Sequence, residues 1–371
     1  MSEENEEKKD GAAAMPILDL IDGASGTISD FEKDVSERRL IAANPSFTTE
    51  ERLEAYEDIF DSEVGDTSLV RARNIEREVG LRQIYLKYEG GNPSGTQKDR
   101  IAFAQSMDAL RRGFDCITVA TCGNYGVALA LAASLAGLKC VIFIPVDYHT
   151  TRIKEMTDLG AEVRREGEDY ERAVETSIRF AEKSEAYDAN PGGDNTQTQL
   201  RSYGTIAHEI FDELRDAPYA LASPVSNGTT LTGIYRGFLS LYRRGKTSRM
   251  PKMIAGSSWG KNPIVQAWLK NLPSCEDLEP AKIHETRTNE PLINWRSIDG
   301  DIALEAIRRT GGWAGNASDR EMTSFARFIR EKEGLQALPA STAGLIALTA
   351  RHKKEPLPND RYVVVLTGRK I

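Results

Sequence analysis

Residues 87–100 of this 371-residue chain read KYEGGNPSGTQKDR. The apolar residues 84–86 just before them predict a strand, the Gly, Pro and Asn residues predict a turn, and a helix is expected to begin just after Lys98. In a parallel sheet, Lys98 would then lie at the strand-end edge where open α/β folds bind ligands, and the helix dipole would favour its neutral, nucleophilic amine. Taken alone, the stretch fits a solvated turn lysine better than a functional one.

Short apolar runs alternate with amphipathic stretches along the rest of the chain. Strands are predicted at residues 84–86, 117–121, 141–144, 220–222, 253–255 and 362–366. Helices are predicted at residues 125–137, 149–159, 168–183, 201–215, 229–243 and 318–333. Repeated strand and helix in this order predict a mostly parallel sheet with helices on both faces. The fold class is therefore α/β.

The chain shows no internal repeat and no long linker, so its lobes are expected to be interleaved. We expect an acidic N-terminal extension at 1–40, with a loose tail at its start. A large three-layer lobe is expected from 41–103 together with 196–371, and a small mobile lobe from 104–195. Thr48 and Glu51 form the pattern of a capping box that starts a helix.

Composition excludes several classes of protein. The formal charge is −8, but residues 1–66 hold 19 of the 56 acidic and 6 of the 48 basic residues. The remainder is nearly neutral, which argues against a nucleic-acid surface. No window is apolar enough for a membrane span, and nothing suggests an export signal, so we expect a cytoplasmic protein. The four cysteines show no zinc-type spacing, and no metal site is predicted.

Two further strand-turn-helix segments have the composition of ligand loops. In the first, residues 120–130, Asn124 follows a strand and stands where its amide would donate to a ligand oxygen, although an asparagine in a left-handed turn is the simpler interpretation. In the second, residues 225–234, small residues converge at a helix N-terminus and predict a phosphate cradle. This loop has neither the Walker pattern nor the dinucleotide fingerprint.

The C-terminal region supplies two more segments, 333–344 and 363–370. Thr367 follows the apolar strand directly. Its hydroxyl is therefore expected at the same sheet edge as Lys98.

The ordered set of these five segments resembles the fold type II pyridoxal-phosphate (PLP) enzymes, the tryptophan synthase β-subunit and cysteine synthase superfamily, and most of all threonine synthase. The resemblance runs from about Gly65 to the C-terminus and implies PLP as cofactor and a homodimer. It implies that Lys98 forms the Schiff base, that Asn124 meets the phenolic oxygen and that Thr367 meets the pyridine nitrogen. The residues implied to hold the phosphate are Ser226, Asn227, Gly228, Thr229 and Thr230. The residues implied to bind or surround the substrate are Asn92, Ser94, Thr96, Arg100, Thr121, Glu333 and Ser341.

The reaction implied is the conversion of O-phospho-L-homoserine and water to L-threonine and phosphate, with a small, phosphorylated amino acid as substrate. This chain departs from the family pattern at Ser226 and Thr229, where glycine is usual, at Gln97, where an aromatic residue is usual, and at 201–205, where a glutamate and a lysine are missing. The alternative is elimination or replacement at the β-carbon of serine, threonine or O-phosphoserine by a dehydratase, a cysteine synthase or a cysteate synthase. A PLP-free binding protein and a nicotinamide oxidoreductase are weaker alternatives.

Overall fold

The computed structural model describes residues 28–121, 123–147 and 152–370. The expected loose tail of residues 1–14 lies outside them, as does Cys122. The helices are α1 Ile28–Ala43, α2 Thr49–Glu63, α3 Arg73–Val79, α4 Lys98–Arg111, α5 Asn124–Leu135, α6 Ile153–Asp158, α7 Tyr170–Ser184, α8 Thr196–Leu214, α9 Thr229–Arg243, α10 Pro263–Leu269, α11 Gly300–Arg309, α12 Asp319–Glu333 and α13 Ala343–Lys354.

The strands form two sheets. Their bounds are β1 Leu69–Arg71, β2 Ile84–Tyr88, β3 Cys116–Ala120, β4 Lys139–Ile144, β5 Glu162–Arg165, β6 Tyr187–Asp188, β7 Ala220–Pro224, β8 Lys252–Ser258, β9 Trp313–Ala317 and β10 Tyr362–Leu366. The six-stranded sheet has the order β1-β2-β10-β7-β8-β9, and the four-stranded sheet has the order β5-β4-β3-β6. Only β1 is antiparallel to its neighbour among the described strands. The predicted α/β class with mostly parallel sheets is confirmed.

Strand β10 explains why the large sheet is covered on both faces. All five of its residues are buried. Val363 and Val365 pack into the main core, whereas Val364 and Leu366 pack into a second core on the opposite face. Because successive strand side chains point to opposite faces, an unbroken apolar strand requires two covering layers.

The second sheet is built from residues 116–188, inside the segment expected to form the small lobe. Helix α4 runs across residue 103 and packs against both α5 and α8. The lobe boundaries therefore stay a prediction. None of the described helices is long and apolar enough to cross a membrane.

The N-terminal extension is tied to the fold at its end. Helix α1 runs past residue 40, and Ala42 is fully buried in the main core. The predicted capping box is confirmed, since Thr48 accepts from the Glu51 N–H and the Glu51 carboxylate accepts from the Thr48 N–H at 2.9 Å. Arg52 of α2 donates to the Ala42 carbonyl at 3.1 Å and to the Ala136 carbonyl at 2.7 Å. These bonds join the end of α1, the helix that leads out of the extension, to the end of α5.

Helices α8 and α9 cross closely at the stretch that departs from the family pattern. A Cβ added to Gly237 of α9 would lie 2.4 Å from the Gly204 carbonyl oxygen, and one added to Gly233 would lie 2.5 Å from the Tyr203 Cβ. Real Cβ atoms do not approach other atoms so closely, so the crossing depends on glycine. Gly204, one of the residues in 201–205, is therefore part of a helix–helix contact.

Candidate active site

Lys98 is held at the end of the large sheet by the C-terminal segment. Strands β2 and β10 are parallel neighbours, with Tyr88 opposite Leu366. Beyond their ends, Thr96 forms a bridge with Gly368, and the Gln97 N–H donates to the Thr367 carbonyl at 2.9 Å. Helix α4 then begins at Lys98, whose N–H donates to the Thr96 Oγ1 at 3.2 Å. Lys98 and Thr367 are thus fixed beside each other by backbone pairing.

A cavity of about 410 Å³ opens at this edge. The predicted site residues that line it are Lys98, Thr121, Asn124, Ser226, Asn227, Gly228, Thr229, Thr230 and Thr367. They come from the carboxyl ends of β2, β3, β7 and β10, which belong to both sheets. Separate segments of the sequence are therefore brought together where parallel α/β sheets bind ligands.

The Lys98 amine has the properties of a nucleophile. It makes no ion pair with a described residue, and Nζ lies 5.4 Å from the centre of the Tyr125 ring. Burial lowers the pKa of Lys98 to about 8. The N-terminal end of α4 acts in the same direction, because its positive dipole disfavours an ammonium group. A useful fraction of the amine is therefore neutral near neutral pH.

This lowered pKa predicts a pH dependence for reaction of the Lys98 amine with an aldehyde. Only the neutral amine attacks, so the initial rate of attachment should rise roughly tenfold per pH unit below pH 8 and level off above it. Stopped-flow absorbance of the protein mixed with pyridoxal phosphate, the aldehyde that the sequence resemblance implies, measures this rate. A rate that continues to rise up to pH 10, as for an exposed lysine, would contradict the assignment.

Thr367 is supported from behind by a fully buried serine. The Thr367 Oγ1 donates to the Ser341 Oγ at 3.3 Å, and the Ser341 Oγ donates to the Gly368 carbonyl at 3.2 Å. Ser341 does not line the cavity itself. Its effect on a ligand would therefore pass through the orientation of the Thr367 hydroxyl.

The loop 226–230 connects β7 to the first turn of α9. Gly228 has φ of 93°, and a Cβ there would lie 2.9 Å from the Ala303 Cβ and 3.0 Å from the Asp299 carbonyl oxygen. No side chain of a described residue caps α9 at Gly228, so the first-turn N–H groups of the helix lie beside the cavity without a capping side chain from that part of the protein. Such a helix start binds an anion well.

The hydroxyl of Thr229 has a different role from the predicted one. It donates to the buried Asp299 carboxylate, with 2.5 Å between Oγ1 and Oδ2. Its proton is therefore engaged within the protein, and the backbone of the loop is what remains to hold a phosphate. The Ser226 carbonyl is held in turn by Asn262 Nδ2 at 2.9 Å and by Ser297 Oγ at 3.1 Å.

Asn124 begins α5 and is fixed by an arginine that the sequence did not single out. The Arg152 Nη1 donates to the Asn124 Oδ1 at 2.6 Å. The amide oxygen of Asn124 is thus engaged, and its NH₂ group is the part left for the cavity.

The structure does not bring Glu333, Asn92 or Arg100 to the cavity. Glu333 accepts from the N–H groups of Asn74 and Ile75, both at 2.9 Å, and so caps α3 instead of lining the site. Asn92 is buried and donates to Glu89. The substrate roles expected for these residues are corrected accordingly.

Arg100 lies in a buried network of charges with only 2% of its side chain exposed. It bonds Glu89 at 2.7 and 2.9 Å and Glu209 at 2.6 and 2.9 Å, and Lys87 also pairs with Glu209 at 2.5 Å. Two cations and two carboxylates therefore satisfy one another, and no group of Arg100 is left for a substrate carboxylate. The sequence offered no signal for Glu209, which lies in the middle of α8.

Ser94 and Thr96 support the lysine loop instead of lining the cavity. The Ser94 N–H donates to the Asp99 Oδ2 at 2.9 Å, and the Thr96 hydroxyl accepts from the Lys98 N–H. Burial, the largest effect on Asp99, raises the pKa of its carboxyl to about 6 in spite of the Ser94 bond.

Comparison with known proteins shows what this site belongs to. The family model of pyridoxal-phosphate-dependent enzymes matches residues 60–368. The chain belongs to that family. Threonine synthase of Methanocaldococcus jannaschii is 28% identical over 305 residues, covering 82% of this chain and 74% of that protein. Threonine synthase of Synechocystis sp. is 31% identical over 307 residues, covering 82% and 76%.

Solved structures of the same family show the fold. Serine racemase from Dictyostelium discoideum superposes with a TM-score of 0.69 at 18% identity, covering 86% of this chain and 97% of that one. The processed form of threonine deaminase isoform 2 from Solanum lycopersicum gives 0.69 at 16% identity, covering 89% and 93%. The expected fold type II architecture and the expected cofactor, PLP, are confirmed.

The residues present fit PLP at each of its polar groups. The buried amine of Lys98 suits the aldehyde, and the N-terminal end of α9 suits the phosphate. Asn124 presents an amide NH₂ for a phenolic oxygen. Thr367 places its hydroxyl at the cavity, and donation to a ring nitrogen would require its proton to turn away from Ser341. These four positions are thus the residues that would hold the cofactor.

Proposed function

We propose that this chain is a PLP-dependent lyase that attaches the cofactor at Lys98 and carries out elimination or replacement on a small amino acid. The observation that supports the proposal most is the amine of Lys98, which is buried and makes no ion pair with a described residue, in a cavity that Thr367 also lines. A hydroxyl beside the ring nitrogen of PLP, in place of a carboxylate, would not keep that nitrogen protonated. The ring would then withdraw electrons less strongly than a protonated pyridinium ring does. That difference favours elimination over transamination.

Each residue then has a defined task. PLP supplies the electron-withdrawing system that makes the α-proton of an attached amino acid acidic. Lys98 would be the base, because its Nζ lies in the cavity, where it could take that proton and return it later. The Asn124 amide and the start of α9 hold the ring and the phosphate still, so that the α-carbon stays within reach of Lys98.

The first candidate reaction is that of threonine synthase, from O-phospho-L-homoserine and water to L-threonine and phosphate. Its support is the similarity to curated threonine synthases over 82% of the chain. Relatives of 28–31% identity support the type of chemistry more strongly than the substrate.

The charges of the cavity favour a second candidate, β-elimination or β-replacement on an unphosphorylated amino acid such as serine or threonine. Lys98 is the single cationic side chain among the described residues that line the cavity. Six carboxylates line it, from Asp147, Glu168, Asp169, Glu171, Glu285 and Glu290. Burial raises the pKa of Glu171 to about 7, so this group carries only part of a negative charge near neutral pH, and burial also raises the pKa of Glu285. A phosphorylated substrate would enter this cavity without an arginine or free lysine to meet its charge.

Product analysis separates the two candidates. We expect serine or threonine to yield a 2-oxo acid and ammonia with a kcat/KM at least about tenfold above that for O-phosphohomoserine or O-phosphoserine, since one unmatched charge costs about 1.4 kcal/mol or more. The 2-oxo acid, threonine and phosphate are measured in parallel, with Lys98→Ala as the inactive control. Efficient release of phosphate with formation of threonine would instead establish the threonine synthase reaction. The homodimer and the cytoplasmic location expected from the sequence are part of this proposal.

A further inference from the structure

Arg152 joins two parts of the active site. It lies just before α6, and its side chain is 11% exposed. Its Nη1 donates to the Asn124 Oδ1 at 2.6 Å, and its Nη2 donates to the Ser94 carbonyl at 3.4 Å. Glu155 accepts from Nε at 3.2 Å and from Nη2 at 2.8 Å. One guanidinium group therefore contacts the start of α5 and the loop that carries Lys98.

The contact with Asn124 determines which end of the amide faces the cavity. An asparagine amide has an oxygen that accepts and a nitrogen that donates, and by itself it turns either end toward a ligand. A guanidinium group has donors only, so it bonds the oxygen and never the nitrogen. With Arg152 in place, the NH₂ of Asn124 is what remains for a ligand. If the Asn124 amide were reversed, its NH₂ group would face the N–H groups of Arg152, and donor would oppose donor.

A donor is what the cofactor requires at this position. The phenolic oxygen of PLP carries negative charge when ionised, and a hydrogen bond from a donor stabilises that form. The cationic Arg152 behind the amide polarises the same bond in the favourable direction.

We propose that Arg152 is a positioning residue that acts through Asn124, fixing the amide so that it donates to the phenolic oxygen of PLP. The inference rests on the proposed function, in which Asn124 meets that oxygen. The bond to the Ser94 carbonyl also holds α6 against the loop before Lys98, so Arg152 sets the position of Asn124 relative to the lysine.

Three substitutions of Arg152 test the proposal on purified holoenzyme. Arg152→Met removes the hydrogen-bond donors and keeps the length of the side chain. Arg152→Gln supplies an amide whose oxygen accepts a hydrogen bond from the NH₂ group of a reversed Asn124. Arg152→Lys keeps a cationic donor. Arg172→Met is the matched control, because Arg172 makes an exposed pair with Glu175 at 2.7 Å on α7.

The readouts are the absorbance spectrum of the bound cofactor across pH and the dissociation constant of PLP. Loss of one charge-assisted hydrogen bond predicts a dissociation constant about tenfold higher for Arg152→Met. The absorbance band of the form with an ionised phenolic oxygen should fall relative to that of the neutral form. Arg152→Gln should shift the spectrum in the same direction, whereas Arg152→Lys should stay near the wild type and Arg172→Met should match it.

Wild-type spectra and affinity in both Arg152→Met and Arg152→Gln would overturn the proposal. If Arg152→Met fails to fold, the other two variants still test the proposal. The proposal requires the cofactor spectrum of Arg152→Gln to shift and that of Arg152→Lys to stay near the wild type. A wild-type protein that takes up no PLP would overturn the proposed function as well. Normal uptake by the wild type, with no effect at Arg152, would overturn this inference alone.

Discussion

Lys98→Ala is expected to lower the turnover of any substrate by about 10³-fold or more, because the same amine both attaches the cofactor and moves the α-proton. The variant should still bind PLP noncovalently, through the start of α9 and the residues Asn124 and Thr367. Reduction with borohydride followed by peptide mass analysis should find the cofactor on Lys98 in the wild type and nowhere in the variant.

The matched control for this experiment is Lys154→Ala. Lys154 is 82% exposed and forms a surface pair with Asp158 on α6. It should leave turnover and labelling unchanged. Retention of labelled cofactor by Lys98→Ala, or turnover within tenfold of the wild type, would show that another amine carries the chemistry.

Glu209→Ala is expected to cost about 3–5 kcal/mol of stability, because it leaves the buried cations Lys87 and Arg100 without their shared carboxylate. Lys87 is 1% exposed, and its remaining oxygen partner is the Thr67 carbonyl at 2.5 Å. The free energy of unfolding from urea titration of the apoprotein measures this loss. Asp158→Ala removes an exposed ion pair instead and should cost less than about 1 kcal/mol.

The pKa of the Glu209 carboxyl predicts how this loss of stability depends on pH. Burial by itself would raise the pKa of Glu209, but Arg100 and Lys87 outweigh it and lower the pKa to about 2. A lowered folded-state pKa gives stability that is full above the unfolded value of 4.5 and is lost as pH falls toward 2. The difference between wild type and Glu209→Ala should therefore be largest above pH 5 and shrink in acid. A difference that stays constant down to pH 2 would contradict the ion-pair explanation.

The parts of the fold that the sequence predicted are those with strong local patterns. Apolar strands such as β4 and β10 and amphipathic helices such as α9 and α12 lie within a few residues of their predicted bounds. Strand β5, Glu162–Arg165, is mostly charged, and β9, Trp313–Ala317, contains glycine and asparagine. Those strands exist because they pair at sheet edges, and their own residues give no periodic signal.

The candidate site likewise contains residues whose position follows from a local sequence pattern and contacts that have no such pattern. Thr367 and the 226–230 loop lie just after strands, and Lys98 ends the turn that follows β2, so the strand-end rule predicts their position at one edge, and all of them line the cavity. Contacts between distant segments, such as those of Glu209 with Lys87 and of Arg152 with Asn124, have no local pattern. Glu333 was expected near the substrate because it belongs to the segment 333–344. Its place in that segment gives no sign that it caps the start of α3. The position of a residue just after a predicted strand could be inferred from the sequence. Ion pairs and hydrogen bonds between distant segments could be identified only in the structure.

The place of β10 in the large sheet has a consequence for how the protein is made. Residues 362–366 come after all the other described strands in the sequence, yet they insert between β2 and β7 and bring Thr367 beside Lys98. During synthesis, the ribosome releases these residues after the other described helices and strands have emerged. A nascent chain that has not yet released residues 362–366 therefore has Lys98 but lacks the strand that positions it. Cofactor capture should thus begin only after these residues have emerged, and it tests whether a chain contains them.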